Sequence, residues 1–317
     1  MIAVCSDVHG NHLALQCCLE DARRHATQFK LPLSIWCLGD VSNGMGGTSE
    51  CLEKLDELAD AGQLTEWLIG NHDLAQLLWW PDRQREPLER SKENEERIRP
   101  EALQFVQEEQ DIELLATEAG SLDVLRRFTP ELWQRWTTAP AWAGSREVPG
   151  IYLAHGLIVD PDPYHPANTT IGLFSGNITE RLEAMYRLLA GSANSPLRLV
   201  VTGHTHIADA WSRGPQGVWS REIVGTDGTA DYYFGEEWYE LSDERTWVLN
   251  AGSVGWQKDK LLTGADPATV VYLLLRAATD RLAVCFRRPS YDLNAAIDEY
   301  RARGIPEAML DRLRNGI

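Results

Sequence analysis

Short apolar runs that break off into polar residues set the pattern of this chain. Ile2 to Cys5 is the first, followed at once by Ser6-Asp7-Val8-His9-Gly10-Asn11. Leu13, Leu15, Cys18, Leu19 and Ala22 then recur at roughly helical spacing, which predicts a helix starting near Asn11. The scheme repeats. Leu33 to Leu38 reads as a strand, Gly39-Asp40 ends it, and a loop with Gly44, Gly46 and Gly47 leads to a helix carrying Cys51, Leu52, Leu55 and Leu58. A third run, Trp67-Leu68-Ile69, reads as a buried strand that stops at Gly70, where a glycine lets the backbone turn sharply. Strand-then-helix units in succession predict a parallel sheet with right-handed crossovers.

Residues 74–140 break this rhythm. The stretch 82–111 is crowded with Glu, Arg, Lys and Gln, and Leu122, Leu125, Phe128, Leu132 and Trp136 form an amphipathic series, so the segment reads as a helical insertion beside the sheet. From 142 the chain turns mostly to strands. Ile151 to Ala154 ends at His155-Gly156, a helix is expected near 178–190, and Leu197 to Val201 ends in Thr202-Gly203-His204-Thr205-His206. Further strands near 207–212, 217–224, 245–249, 268–275 and 281–287 read as antiparallel, with Thr279-Asp280 as a hairpin turn. The acidic, aromatic segment 226–244 interrupts them as a hairpin excursion, a lid or an interface patch, with ordinary packing the plainer reading. Two helical patterns, 291–303 and 306–315, close the chain, with Pro306 placed at a helix start.

The 317 residues fit a single domain, 1–317, with the insertion at about 74–140 and the tail at about 291–315. Apolar content of 44% is enough for an ordinary core. The formal net charge of −17 argues against a nucleic-acid partner and suits a site that collects divalent cations. The six cysteines form no C-x-x-C pair, and no secretory signal or bilayer-length apolar run stands out, so a cytoplasmic protein with reduced thiols and no membrane partner is expected.

The strand ends together deliver Asp7 and His9, Asp40, Asn71 and His72, His155, then His204 and His206. Each alone has a plain explanation as a cap, turn or packed residue. Jointly they form a set of carboxylate, imidazole and amide donors without thiolate, which suits Mn, Fe or Zn. More than four ligands point to a pair of ions, an arrangement common in phosphoester hydrolysis. Asp73 reads either as an orienting group for His72 or as a helix cap.

In this order, Asp7-x-His9, Gly39-Asp40, Gly70-Asn71-His72-Asp73, His155-Gly156 and Gly203-His204-x-His206 resemble the calcineurin-like metallophosphoesterases. The resemblance implies an α/β fold (α+β by some schemes): a four-layer β-sandwich of two mixed sheets flanked by helices; the helical insertion after the third strand departs from the smallest members. It implies two divalent metal ions, manganese foremost, with iron, zinc or nickel as alternatives. Asp7, His9, Asp40 and His206 would hold one ion, and Asp40, Asn71, His155 and His204 the other. His72 would be the catalytic general acid for attack on a small phosphoester by a hydroxide activated between the ions.

Within that family, protein Ser/Thr phosphatases carry Asp and Arg three and four positions after the bridging aspartate, where this chain has Asn43 and Gly44. Asn250-Ala251-Gly252-Ser253-Val254-Gly255 resembles instead the Asn-Pro-Gly-Ser element of small bacterial phosphodiesterase-like members, with Ala251 in place of the proline. The C-terminal run from Tyr291-Asp292-Leu293 is similar to the tail of that branch. The expected activity is hydrolysis of small diesters or nucleotides; a protein phosphatase or nuclease of the same fold, or a non-catalytic metal-binding scaffold, are the alternatives. The glycines of 44–47 read as a flexible loop, and Lys258 and Arg288 as anion contacts on position alone. The oligomeric state is left open by the sequence.

Overall fold

The computed structural model describes residues 1–42, 44–74, 129–173, 176–192, 196–222, 237–256, 258, 268–278 and 281–315. The first half alternates strand and helix: β1 (Ile2–Cys5), α1 (His12–Phe29), β2 (Ser34–Cys37), α2 (Thr48–Asp60) and β3 (Leu64–Trp67). After α3 (Pro130–Thr137) come β4 (Trp142–Gly144), β5 (Ile151–Ala154), a 3-10 turn (Pro166–Thr169), α4 (Ile178–Ser192) and β6 (Leu199–Thr202). The rest is β7 (Asp209–Arg213), β8 (Trp219–Arg221), β9 (Tyr239–Leu241), β10 (Thr246–Asn250), β11 (Tyr272–Ala277), β12 (Leu282–Arg287), α5 (Leu293–Ala302) and α6 (Glu307–Asn315).

These strands form two mixed six-stranded sheets, one ordered β3-β2-β1-β11-β12-β9 and the other β4-β5-β6-β10-β7-β8. β1, β2 and β3 run parallel, as their helical crossovers require. The central strands are buried on both faces, which is why they read as continuous apolar runs. In β1, Ile2 and Val4 face the second sheet, meeting Leu153, Leu199 and Val201 in a shared core. Ala3 and Cys5 face the other way, onto α1 and α2 through Leu15, Leu19 and Leu52. Val200 and Val248 pack outward against Leu182, Met185 and Leu189 of α4. The layers are therefore helix, sheet, sheet, helix. A fourth cluster joins α5 and α6 to Met45 and Trp256 in two loops.

Several expectations need correction. The third strand is Leu64–Trp67, not Trp67–Ile69. Leu68 donates to the Cys37 carbonyl and Ile69 to the Pro140 carbonyl, so both are buried without continuing the strand. The later strands are not uniformly antiparallel: β10 pairs parallel with β6 and antiparallel with β7. Tyr239–Leu241, inside the supposed excursion, is an edge strand paired with β12. Of the predicted insertion, 75–128 lies outside the described residues, as do 223–236 and the expected turn at 279–280. The part that is described, α3, has its N-cap at Thr129 and buries Leu132 and Trp136. All six cysteines are unpaired. Among the described residues no helix is long and apolar enough to cross a membrane.

Candidate metal centre

The parallel strands of both sheets end on the same side, and the loops leaving them carry the polar residues. β1 delivers Asp7 and His9, β2 delivers Asp40, and the loop after β3 delivers Asn71 and His72. From the other sheet β5 delivers His155 and β6 delivers His204 and His206. All eight meet. Asp7, His9 and His206 form one group, Asp40, His155 and His204 another, and His9, Asp40 and His72 a third between them; within each group the ligand atoms lie within 4.8 Å of one another. Asn71 joins the second group through its side-chain amide, 3.0 Å from His155 Nε2 and 2.9 Å from His204 Nδ1.

The backbone of the site is strained to make this possible. Asp7, His9, Asp40, His204 and His206 have φ between 49° and 68°, a left-handed conformation; Lys30, at a helix C-cap, is the one other described non-glycine residue with positive φ. Each such residue costs on the order of 1–3 kcal/mol, and strain of this kind gathers at functional sites. Gly70 serves close approach: a Cβ there would stand 2.0 Å from Asp40 Oδ1.

Hydrogen bonds fix the tautomers. His155 Nδ1 donates to the Leu38 carbonyl at 2.9 Å and His206 Nδ1 to the Trp256 carbonyl at 2.6 Å. In a neutral ring the Nε2 of each is then a lone pair. Those lone pairs face oxygens: His155 Nε2 is 3.1 Å from Asp40 Oδ2, and His206 Nε2 is 3.2 Å from Asp7 Oδ1. Asp7 Oδ1 is buried and has no hydrogen-bond partner among the described residues. His9 Nε2 lies 3.1 Å from His206 Nε2 and 4.0 Å from Asp40 Oδ2, which places Asp40 between the two groups. The Asn71 amide has two settings. With its nitrogen inward its two N–H groups have both rings, Asp40 Oδ2 and the Thr169 carbonyl within reach as acceptors; with its oxygen inward it adds one more lone pair to the cluster. Converging lone pairs, an orphaned carboxylate oxygen and a donor set of O and N without S fit divalent cations.

Electrostatics agree. Burial alone would raise Asp7 and Asp40, but His206 beside the first and His155 beside the second hold both below the ordinary carboxylate range. Burial drives His9 and His204 down to about 3, with the neighbouring rings adding to it. Burial also opposes charge on His155, yet the Asp40 carboxylate outweighs it and lifts the ring to about 9. The proton this places on Nε2 stands where a bound cation would replace it. Burial lowers His72, with Asp40 opposing. His72 is partly buried, whereas Asp7, His9, Asp40 and His155 are fully buried. Its backbone N–H donates to Asp40 Oδ1 at 2.8 Å, and its ring stands edge-on to His9 at 4.8 Å between centroids.

Asp73 resolves toward capping. It accepts from the Gly70 N–H at 3.1 Å and from the Ser42 N–H and hydroxyl at 2.9 and 2.8 Å, tying the β3 loop to the β2 loop. Burial, then the Asp40 charge, pushes its carboxyl up to about 6.

The Asn250–Gly255 element braces the site from the second sheet. Asn250 Nδ2 donates to the Gly203 carbonyl at 2.5 Å and to Thr205 Oγ1 at 2.9 Å, holding the turn that carries His204 and His206. Ser253 Oγ donates to the Asp7 carbonyl at 2.9 Å. At Gly255 a Cβ would stand 1.7 Å from the Val8 carbonyl oxygen, so the element needs glycine to lie against the β1 loop. Trp256, which the sequence pattern did not single out, is edge-on to both His9 and His206. Lys258 stands beside Trp256, and Arg288 donates to Thr269 Oγ1 at 3.4 Å.

Comparison with known proteins places this geometry. The profile of the family described as calcineurin-like phosphoesterase matches residues 1–208. A metallophosphoesterase from Sphaerobacter thermophilus shares the fold at 20% identity, with a TM-score of 0.61, over 100% of this chain and 99% of that one. A hypothetical protein from Pyrococcus horikoshii OT3 does so at 16% identity and a TM-score of 0.61, again over 100% and 99%. No curated protein sequence matches the chain. With the family profile lying over the strands that carry all eight of these residues, the chain belongs to the calcineurin-like phosphoesterases, metal-dependent hydrolases acting on phosphoester bonds.

Proposed function

We propose that this chain is a single-domain cytoplasmic phosphodiesterase or phosphatase that hydrolyses small diesters or nucleotides with two divalent ions, manganese the first candidate. The observation that carries the reading is the convergence of eight polar residues from two sheets, five of them with left-handed backbone. Asp7, His9, Asp40 and His206 would hold one ion, and Asp40, Asn71, His155 and His204 the other. Bound there, the ions supply positive charge for the phosphoryl oxygens and lower the pKa of a water to the neutral range.

The chain's own residues do the rest. Asp7 and Asp40, kept ionised, balance the positive charge. The carbonyls of Leu38 and Trp256 hold His155 and His206 with Nε2 inward. His72, partly buried, would hold the proton that the departing oxygen takes up, the Asp40 carboxylate opposing the pull of burial on that proton.

Gly44 argues for the small-substrate branch over a protein phosphatase. A Cβ at 44 would stand 2.4 Å from the His9 carbonyl oxygen, so a phosphate-gripping arginine has no room there. Asn43 lies outside the described residues. A panel assay with Mn²⁺ tests the reading, using bis-p-nitrophenyl phosphate, p-nitrophenyl phosphate, cyclic nucleotides, dinucleoside polyphosphates, single-stranded DNA and a phosphopeptide. Turnover of the small diesters or nucleotides above the DNA and the phosphopeptide is expected. Silence on all of them with metal bound would favour a scaffold.

A further inference from the structure

The C-terminal helices lie apart from the strand tips in sequence, yet Trp256 joins them to one half of the centre. Trp256 is 7% exposed. Its ring centroid is 5.9 Å from that of His9 and 5.8 Å from that of His206, at 77° to each. Its carbonyl accepts the His206 Nδ1 proton, and its own N–H donates to Ser253 Oγ, which in turn donates to the Asp7 carbonyl. The residue thus touches or braces Asp7, His9 and His206, and among the described residues it makes no hydrogen bond or ring contact with Asn71, His155 or His204.

What holds Trp256 is the tail. Its indole packs in one apolar cluster with Met45 and with Tyr300, Ile305 and Leu310 of the α5–α6 region. Arg312 of α6 stands 5.6 Å from the ring centre. Arg303 Nη1 donates to the Gly46 carbonyl at 3.0 Å and to Glu50 at 2.9 Å, fixing the tail to the glycine loop. Tyr300 Oη donates to Asn11 Oδ1 at 2.9 Å, and Asn11 Nδ2 donates to the Gly255 carbonyl at 2.9 Å, just before Trp256. The indole N–H is buried without a hydrogen-bond partner among the described residues. A buried donor left unpaired is destabilising, and packing of the ring must offset it.

We propose that Trp256 is a positioning residue for the Asp7–His9–His206 half of the centre, and that the α5–α6 tail holds it in place. The tail thereby sets the affinity of one ion and leaves the other to Asp40, Asn71, His155 and His204. This rests on the two-ion reading above. Groups that orient metal ligands are typically worth 10–100-fold in metal affinity.

The test is calorimetric titration of metal-free protein with Mn²⁺, comparing wild type with Trp256→Ala, Trp256→Phe, Leu310→Ala and, in the distant α4 core, Leu189→Ala. His206→Ala identifies the binding event that belongs to this half. Trp256→Ala is expected to weaken that event by about 10–100-fold and leave the other unchanged. Trp256→Phe restores most of the loss by keeping a ring edge-on to the histidines. Leu310→Ala weakens the same event by less, and Leu189→Ala lowers the melting temperature while leaving both events alone. Equal weakening of both events by Trp256→Ala, or no change in either, overturns the proposal; if that variant does not fold, Leu310→Ala decides between the same outcomes. A wild-type chain that takes up fewer than two ions contradicts the two-ion reading itself, and this inference with it, before any variant is made.

Discussion

The first sheet brings Asp7, His9, Asp40, Asn71 and His72 to the centre, both carboxylates among them, whereas the second brings only the imidazoles of His155, His204 and His206. The first sheet alone would hold two carboxylates whose charges oppose one another, as the upward pull of Asp40 on Asp7 shows. His206 and His155, from the second sheet, outweigh that repulsion. The centre is therefore a property of the packed sandwich and not of either sheet. The core shared by Val4, Trp36, Leu153 and Val201 doubles as the spacing device for the ligands.

The division of labour can be broken most severely at Asp40, which faces both groups. Asp40→Asn is expected to lose both ions and reduce turnover to background, as measured by metal content after dialysis and by hydrolysis of bis-p-nitrophenyl phosphate. Next comes His72, on the first sheet's side and only partly buried. His72→Ala should keep both ions and lose about 10²–10⁴ in turnover on an ester with a poor leaving group. An unchanged rate there would remove the acid assignment. A smaller effect is expected from the second sheet's brace. Asn250→Ala frees the 203–205 turn, and the affinity for Mn²⁺ should fall by about 10–100-fold, read by titration.

The smallest effect on activity, and a large one on stability, belongs to the first sheet's far side. Asp21 is buried and accepts from Tyr272 Oη at 2.7 Å and Arg287 Nε at 2.9 Å, joining α1 to β11 and β12. Asp21→Ala leaves Arg287 buried without that partner and should cost about 3–5 kcal/mol in denaturant unfolding, with little change in turnover. Burial would raise the Asp21 carboxyl, but its bonds to Arg287 and Tyr272 hold it below its ordinary value. With the folded value depressed, this contribution is complete above the unfolded carboxyl's pKa of about 3.9 and is lost as pH falls through the folded value. Wild type should therefore converge on the variant's stability in acid.

Most of the centre was legible in the sequence because each ligand follows an apolar run, and strand ends in α/β sheets are where polar residues can converge. The sandwich of two sheets came from the family resemblance, and the structure bears it out. Other features were not written locally. Leu68 and Ile69 are apolar and buried, but burial under loops looks the same in sequence as burial in a strand. Tyr239–Leu241 becomes a strand only because the edge of β12 accepts it. The left-handed backbone at Asp7, His9, Asp40, His204 and His206 carries no sequence signal, since none of them is glycine. Trp256 was missed for a related reason: its partners lie about 50 and 250 positions away, and an aromatic residue after a glycine loop has no signature of its own.

The most direct test is a crystal soaked in Mn²⁺ and measured at the manganese absorption edge. The account predicts two anomalous peaks per chain, one among Asp7, His9, Asp40 and His206 and one among Asp40, Asn71, His155 and His204. A single peak, or peaks away from these residues, would contradict it.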